Sequence, residues 1–505
     1  SSCFGISPKY FGIPVCLIDI TGTIIANKMV AAGYGLLLTS FFFNVFIFQR
    51  PYFLTLAPKA LCSIMRSIEK IKSNYRVFLL IYVMAVAFFA IMGQISLNRS
   101  GNPLSMPIFH WACSGCEWLQ FSIGGKISYL IFPVLIFWLA GCIWDKELRP
   151  RRSGLEIPVL IFAGIALIAL MASPYRSISW KTGGRDLLTQ VGWFFLLGSL
   201  LRQEKYRKAL LVTLFSALSL VILAGILLYY QGIYFPQTPQ RIWTSFGHPN
   251  GIGAVLVLLI PFVFVLILSP GSGRIRTAAV ALTILLGIGI YLSFSRTAWV
   301  SLLAGLGILT LFRKGKIIFL GSIIFLVILL IWGLNVGPQS YWKQRIKSFA
   351  TWRSDPNVEK RLIYSEAALR MIRDRPVIGY GPGYGIFTRL YQDKYKQIDT
   401  GEFATAPHNY YLSLTLSTGI LGLLAFGWLL FRIFRVARRE MHQSDSRFTV
   451  CFSQALIAGL AGFLLGSLAD DPLLNERIFF VFWLLIGLLA ASAAERRISS
   501  GTKKY

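Results

Sequence analysis

The residues best suited to chemistry are histidines and arginines set beside apolar runs. His408 stands in Ala406-Pro407-His408-Asn409-Tyr410-Tyr411, where a long polar segment enters an apolar one. Pro407 and the run that follows put His408 near a helix N-terminus, with Asn409 and Tyr410 beside it. The positive end of a helix dipole disfavours a protonated ring. A neutral imidazole takes a proton from a hydroxyl; a helix cap or an interfacial histidine is the other reading of this spacing. Gly247-His248-Pro249-Asn250-Gly251 opens another apolar run and is preceded by Arg241. Asn250 is the expected N-cap, and His248 either faces the same cavity or serves the turn. Arg296, in Ser295-Arg296-Thr297-Ala298-Trp299, joins two closely spaced apolar runs. An Arg at membrane depth costs roughly 2.5–3.5 kcal/mol. It therefore pairs with an anion or snorkels to the interface beside Trp299.

The polar segment 335–408 holds a further cluster. A helix is expected from Asp355 (N-cap) and Pro356 (first turn) to about Arg375. Arg361, Arg370, Arg373 and Arg375 make a cationic face, and Leu362, Ile363, Ala368, Leu369 and Ile372 an apolar one. Such a helix lies over a membrane site or binds headgroups. The run Gly379-Tyr380-Gly381-Pro382-Gly383-Tyr384-Gly385 lacks the strand–helix setting of a dinucleotide motif and reads as a turn-rich hinge. Asp470-Asp471 closes an apolar run and reads as a counterweight to Arg477. With no Asp-x-Asp beside these clusters, a metal-independent mechanism without a cofactor is expected, arginines neutralising phosphate. Cys113 and Cys116, flanked by His110 and Glu117, fit zinc, a disulfide or no role at all.

The elements that must carry these residues follow from composition. Of 505 residues, 55% are hydrophobic and 14% charged. Soluble domains carry about 25% charge, so a string of soluble domains is excluded, and disorder needs low hydrophobicity. An all-α, polytopic membrane bundle of about 12–14 helices is expected, since a span needs roughly 20 apolar residues. The candidate spans are 10–27, 30–48, 77–94, 127–144, 157–173, 186–201, 208–230, 251–268, 277–293, 297–312, 317–334, 410–431, 449–468 and 476–494. Asp19 makes the first the weakest. Segment 52–72 reads as an amphipathic surface helix or a solvated connector. The organisation expected is a bundle over 1–334, a long outer loop over 335–408, and closing spans with a basic tail over 409–505.

The net charge of +29 would suggest nucleic acid in a soluble protein. Here most Lys and Arg fall on one side if the C-terminus is cytoplasmic, as short basic loops favour. That places the long loop outside and makes membrane lipids, not nucleic acid, the partner. No inner loop is long enough for a nucleotide-binding domain, which takes at least about 50 residues.

Phe246-Gly247-His248-Pro249-Asn250, Ser295-Arg296-Thr297-Ala298-Trp299 and Pro407-His408-Asn409-Tyr410-Tyr411-Leu412 with Gly419-Ile420-Leu421-Gly422-Leu423 occur in this order. Together with Asp374-Arg375-Pro376-Val377-Ile378-Gly379 they resemble the O-antigen ligase and polymerase superfamily, over about 240–430. The resemblance implies a GT-C-like bundle in the bacterial inner membrane with its site on the periplasmic face. It implies transfer of a glycan from undecaprenyl diphosphate to lipid A core, another glycan or a protein hydroxyl. His408 matches the family's base. Arg296 and Arg361 match the diphosphate-binding positions, with Arg241 and Arg370 as further candidates; His248, Asn250, Asn409 and Tyr410 would line the site. His248 stands where many members have Asn. Two other functions compete: a secondary transporter of a small anion, and a non-catalytic binder of lipid-linked glycan.

Overall fold

The computed structural model of the chain describes residues 58–92, 127–234, 240–269, 272–312, 356–396 and 404–502. Among the described residues the secondary structure is helical, with no strand beyond one isolated bridge, Thr244–Gly247. The main helices are α1 (Pro58–Met92), α2 (Ser128–Trp144), α3 (Glu156–Met171), α4 (Arg185–Leu200), α5 (Glu204–Tyr230) and α6 (Pro249–Leu268). They continue as α7 (Gly273–Leu292), α8 (Arg296–Phe312), α9 (Pro356–Asp374), α10 (Tyr410–Gln443), α11 (Arg447–Gly466) and α12 (Glu476–Thr502). The chain divides into two units, Ser1–Asn74 and Tyr75–Tyr505. The described part of the first is the opening of α1; all that follows concerns the second.

Every expected span that falls on described residues is a helix. The spans expected at 10–27, 30–48 and 317–334 lie outside the described residues, as do Asp19, Asp355 and the Cys113–Cys116 cluster. Seven described helices are long and apolar enough to cross a membrane, and α2, α3 and α8 are shorter apolar helices. The bundle is a multi-pass membrane protein. Of the segment 52–72, residues 58–72 are the opening of α1, and 52–57 lie outside the described residues. From Pro58 onward the chain runs unbroken into the span as α1, since no later Pro or Gly stops it before Met92.

Small residues bring α6, α8 and α11 together. A Cβ at Gly305 would run into the Ala458 carbonyl, one at Gly459 into that of Leu258, and one at Gly462 into that of Ser301. Such close backbone approach is what drives helix association where lipid removes the hydrophobic contrast. Aromatic pairs fasten the other seams: Trp193 of α4 meets Phe480 of α12 at 5.1 Å, and Phe162 of α3 meets Phe426 of α10 at 5.7 Å. Apolar side chains such as Ile143 and Leu311 point outward, 73% and 79% exposed, as a lipid-facing surface requires.

Ion pairs gather at one end of the bundle. Arg76 holds buried Asp145 at 2.5 Å, Arg207 holds Glu495 at 2.6 Å, and Arg496 holds buried Glu440 at 2.7 Å. The opposite end gathers helix starts. Asn475, just before α12, donates to the Phe246 carbonyl before α6 (2.9 Å), and Tyr410 N at the start of α10 donates to the Ser467 carbonyl after α11 (2.9 Å).

One helix is discontinuous. Gly419 sits inside α10 with φ 68° and ψ −174°, a conformation open to glycine. The break frees backbone groups that lipid cannot satisfy. The glycine-rich turn after α9 takes them: Tyr380 N donates to the Leu416 carbonyl (2.8 Å), Gly381 N to that of Ser417 (2.9 Å), and Ile420 N to that of Pro376 (2.8 Å). The expected hinge is thus a fixed clamp that pins the C-terminal end of α9 to the bundle.

Candidate functional site

His408 adopts φ 57°, in the left-handed region, immediately before the start of α10. Asn409 is the cap of that helix. Its side-chain oxygen accepts from Tyr411 N (3.0 Å) and Leu412 N (3.2 Å). The capping duty expected as an alternative for His408 therefore belongs to its neighbour, and the imidazole is released from it. The ring stacks on Tyr364 of α9, with centroids 6.3 Å apart and planes 26° apart. Ser365, next on α9, donates to the Pro407 carbonyl (3.2 Å) and fixes the loop.

The His408 Nδ1 is sealed from solvent and has Asp470 Oδ1 3.6 Å away, just beyond hydrogen-bond length. Asp470 follows α11, in the turn that also receives Arg361: its Nη1 donates to the Ala469 carbonyl (2.9 Å). Burial would raise the Asp470 carboxyl, but the His408 imidazole and the Arg361 guanidinium overcome it and hold the group well below the usual range. Asp471 behaves oppositely. Burial pushes it up to about 6, with the Asp470 charge adding, against the hydrogen bond that Ser413 donates (2.6 Å).

A second wall comes from the start of α6. His248, not Asn250 as expected, is the cap: its Nδ1 accepts from Asn250 N at 3.2 Å. Pro249 occupies the first helical position, which puts the cap one residue earlier. The Asn250 side-chain oxygen instead accepts from Arg241 (2.7 Å), whose Nε donates to the Ser293 carbonyl (2.7 Å). Arg241 is buried, 4% exposed, so its guanidinium is positioned rather than mobile. His248 as a residue is exposed, and loss of water around its ring is nonetheless the largest influence on it. That loss, then Arg241, and further off His408 and Arg361, hold its imidazole down at about 4; only Asp470 pulls the other way. One electrostatic neighbourhood thus contains Arg241, His248, Arg361, His408 and Asp470.

Arg296 is the first residue of α8 and half-buried. Its neighbours Ser295 and Thr297 line a small, partly open cleft of about 20 Å³ with Asn250, Ser301, Phe463 and Asp470. Tyr410 is buried against Phe426 (5.7 Å) and serves packing.

The single cationic face expected on α9 does not form. Nine residues at about 100° each set Arg370 half a turn from Arg361. Arg370 pairs with Glu366 at 2.6 Å on the exposed side. The expected apolar set is buried in part: Ala368 is buried and Ile363 and Ile372 pack on the same cluster with Tyr364, Ala367 and Met371, while Leu362 and Leu369 are exposed. Asp470 is the residue that sequence reasoning passed over, as a topological counterweight. Its signal was the Asp-Asp pair at a span end. Among the described residues, His, Cys, Asp and Glu form no group of three or more placed to hold a metal ion.

Residues 281–427 match the family model Wzy_C, O-antigen ligase. The matched segment contains Arg296, Arg361, Arg370, His408, Asn409 and Tyr410, and the break at Gly419; Arg241, His248, Asn250 and Asp470 lie outside it. The resemblance to the O-antigen ligase and polymerase superfamily holds for this segment. No curated protein matched the chain.

Proposed function

We propose that this membrane glycan-processing enzyme transfers a glycan from undecaprenyl diphosphate to an acceptor hydroxyl at the periplasmic face of the bacterial inner membrane. The observation that carries the reading is His408, free of capping and backed by Asp470, within one charged neighbourhood with Arg361 and Arg241. The acceptor oxygen attacks the anomeric carbon as its proton passes to His408 Nε2. The bond from that carbon to the phosphate oxygen breaks, and undecaprenyl diphosphate leaves with the electron pair. Asp470 steadies the imidazolium through Nδ1, the part a buried carboxylate plays in hydrolase triads. A gap of 3.6 Å is of the kind that closes on substrate binding. Arg361 and Arg296, with Arg241 behind them, offset the charge growing on the diphosphate. Hydrogen bonds to charged groups contribute about 1.5–3 kcal/mol each, and fixed donors in a site of low dielectric act most on developing charge. The acceptor class is lipid A core, a second lipid-linked glycan or a protein hydroxyl.

His408→Ala is the test. It should abolish transfer in membranes that retain the protein, and wild-type transfer by that variant would falsify the assignment. A second reading, secondary transport of a small anion, draws on the broken helix at Gly419, since transporters bind ions at such breaks. The carbonyls of Leu416 and Ser417 at this break are occupied by the turn after α9, which favours a structural clamp. Flux of a small anion into liposomes by the purified protein would reverse that preference.

A further inference from the structure

The segment between α3 and α4 and the turn after α9 form one surface that the transfer site does not use. Ser173 Oγ donates to the Tyr380 carbonyl (2.6 Å), Ser179 Oγ bonds Ser173 Oγ (3.0 Å), and Tyr384 N donates to Thr182 Oγ1 (3.1 Å). A Cβ at Gly183 would collide with the Pro382 carbonyl, and one at Gly381 with Ser173 and Ser179, so the two strips of backbone lie in direct contact. Ser179–Gly184 is wound as a π-helix, a form that recurs at functional positions.

From this rigid junction two aromatic side chains project outward, Trp180 (50% exposed) and Tyr384 (66% exposed). Both lie within two residues of Thr182 or bond to it. Arg176 and Lys181 are exposed beside them, without an ion pair among the described residues. Arg389 lies over the Tyr175 ring at 5.8 Å and reaches Asp393 at 3.6 Å; Arg185 pairs with Asp186 at 2.9 Å. A tryptophan at a bundle end is ordinarily a membrane-interface anchor. Tyr384 comes instead from a loop turn clamped to the bundle by backbone bonds, and exposed cations flank the pair. Flat apolar faces suit the C–H faces of sugar rings, and exposed cations suit phosphate or carboxylate. A pre-set frame binds without an ordering cost.

We propose that Trp180, Tyr384, Lys181 and Arg176 form a subsite for an acidic saccharide, a part of the acceptor glycan. This rests on the transferase reading. The turn bearing Tyr384 is tied through Tyr380 N to the Leu416 carbonyl of α10, eight residues or about 12 Å along the chain from His408. The subsite therefore holds a neighbouring part of the glycan, not the reacting hydroxyl itself, and orients it. Binding energy from such contacts is what positions a reacting group.

The test uses the full-length protein in phosphatidylcholine nanodiscs, without donor. Probes are maltoheptaose, its phosphorylated form and inorganic phosphate, with binding followed by calorimetry. The phosphorylated saccharide should bind about tenfold tighter than the neutral one, as one added charge-assisted contact implies. Trp180→Ala and Tyr384→Ala should each weaken both saccharides about tenfold, Trp180→Phe should restore most of the loss, and Lys181→Gln should erase the preference for phosphate. No saccharide binding, binding unchanged in the Trp180→Ala/Tyr384→Ala double variant, equal binding of inorganic phosphate, or full displacement by phosphatidylglycerol vesicles would each overturn the subsite. Because no transfer is measured, failure here leaves His408-dependent transfer standing, and loss of His408 dependence leaves saccharide binding readable.

Discussion

Asp470→Asn removes the charge beside His408 while keeping the size of the side chain. The asparagine oxygen can still accept from Asp471 N, a bond of 2.9 Å in the native turn, and the backbone carbonyl that receives Tyr410 N is untouched. What is lost is attraction for the imidazolium formed as the proton arrives. At 3.6 Å and an effective dielectric of 20, two unit charges interact by about 4.6 kcal/mol. His408 is 31% and Asp470 24% exposed, so solvent reduces this. Taking roughly half, about 2–3 kcal/mol of transition-state stabilisation is lost, a fall in kcat of about 30- to 150-fold. On the proposed mechanism the lost attraction acts on charge that develops as the proton is transferred, so KM should stay within about twofold. Asp470→Glu should restore part of kcat. The assay is steady-state transfer from a lipid-linked glycan in nanodiscs, with kcat and KM separated. A kcat within threefold of wild type, or a loss carried by KM alone, would refute the positioning role.

Arg361→Ala should reduce transfer at least 100-fold, since it removes the Ala469 tie and the diphosphate contact proposed above. Arg370→Ala should stay within about twofold, its exposed Glu366 pair contributing little; equal losses from both would refute the split across α9. Gly419→Ala should push the turn after α9 off α10, because the new Cβ meets the Val377 carbonyl at a positive φ. Limited proteolysis should then cut within 376–385, whereas Gly427→Ala, with open space around it, should leave the digest unchanged. The pH dependence of stability has two opposed parts. Asp471, raised to about 6, contributes stability that is full below its unfolded value and fades as pH rises through 6. His248, lowered to about 4, contributes stability that is present above its unfolded value and fades as pH falls through 4. Between pH 4 and 6 they offset each other. His248→Gln should therefore gain thermal stability on acidification from pH 6.5 to 4 relative to wild type, and a parallel profile would contradict the shifts.

The spans were legible because an apolar stretch of membrane length has few alternatives. Their boundaries were legible where one residue dictates the backbone: Pro249 fixes the cap at His248, and the arithmetic of a helix already separates Arg361 from Arg370. The break in α10 was not legible. Gly419 lies in an apolar run, and hydropathy carries no information about φ. The partnership of His408 with Asp470 was hidden for another reason, since it joins two span ends remote in sequence and depends on how α10 packs on α11.

The converging helix starts bear on why basic residues gather at this end. His248 caps α6, Arg296 begins α8 and Asn409 caps α10, so three N-termini face the same neighbourhood. Each carries roughly half a positive charge and favours an anion. Adding Arg241, Arg296 and Arg361 to three dipoles would be repulsive in the empty protein. Asp470 and Asp471 offset that, although burial, with the Asp470 charge adding, pushes Asp471 up to about 6. On the transferase reading proposed above, a diphosphate is the ligand that such N-termini and arginines would hold, and its departure with one more negative charge is the step they would assist most.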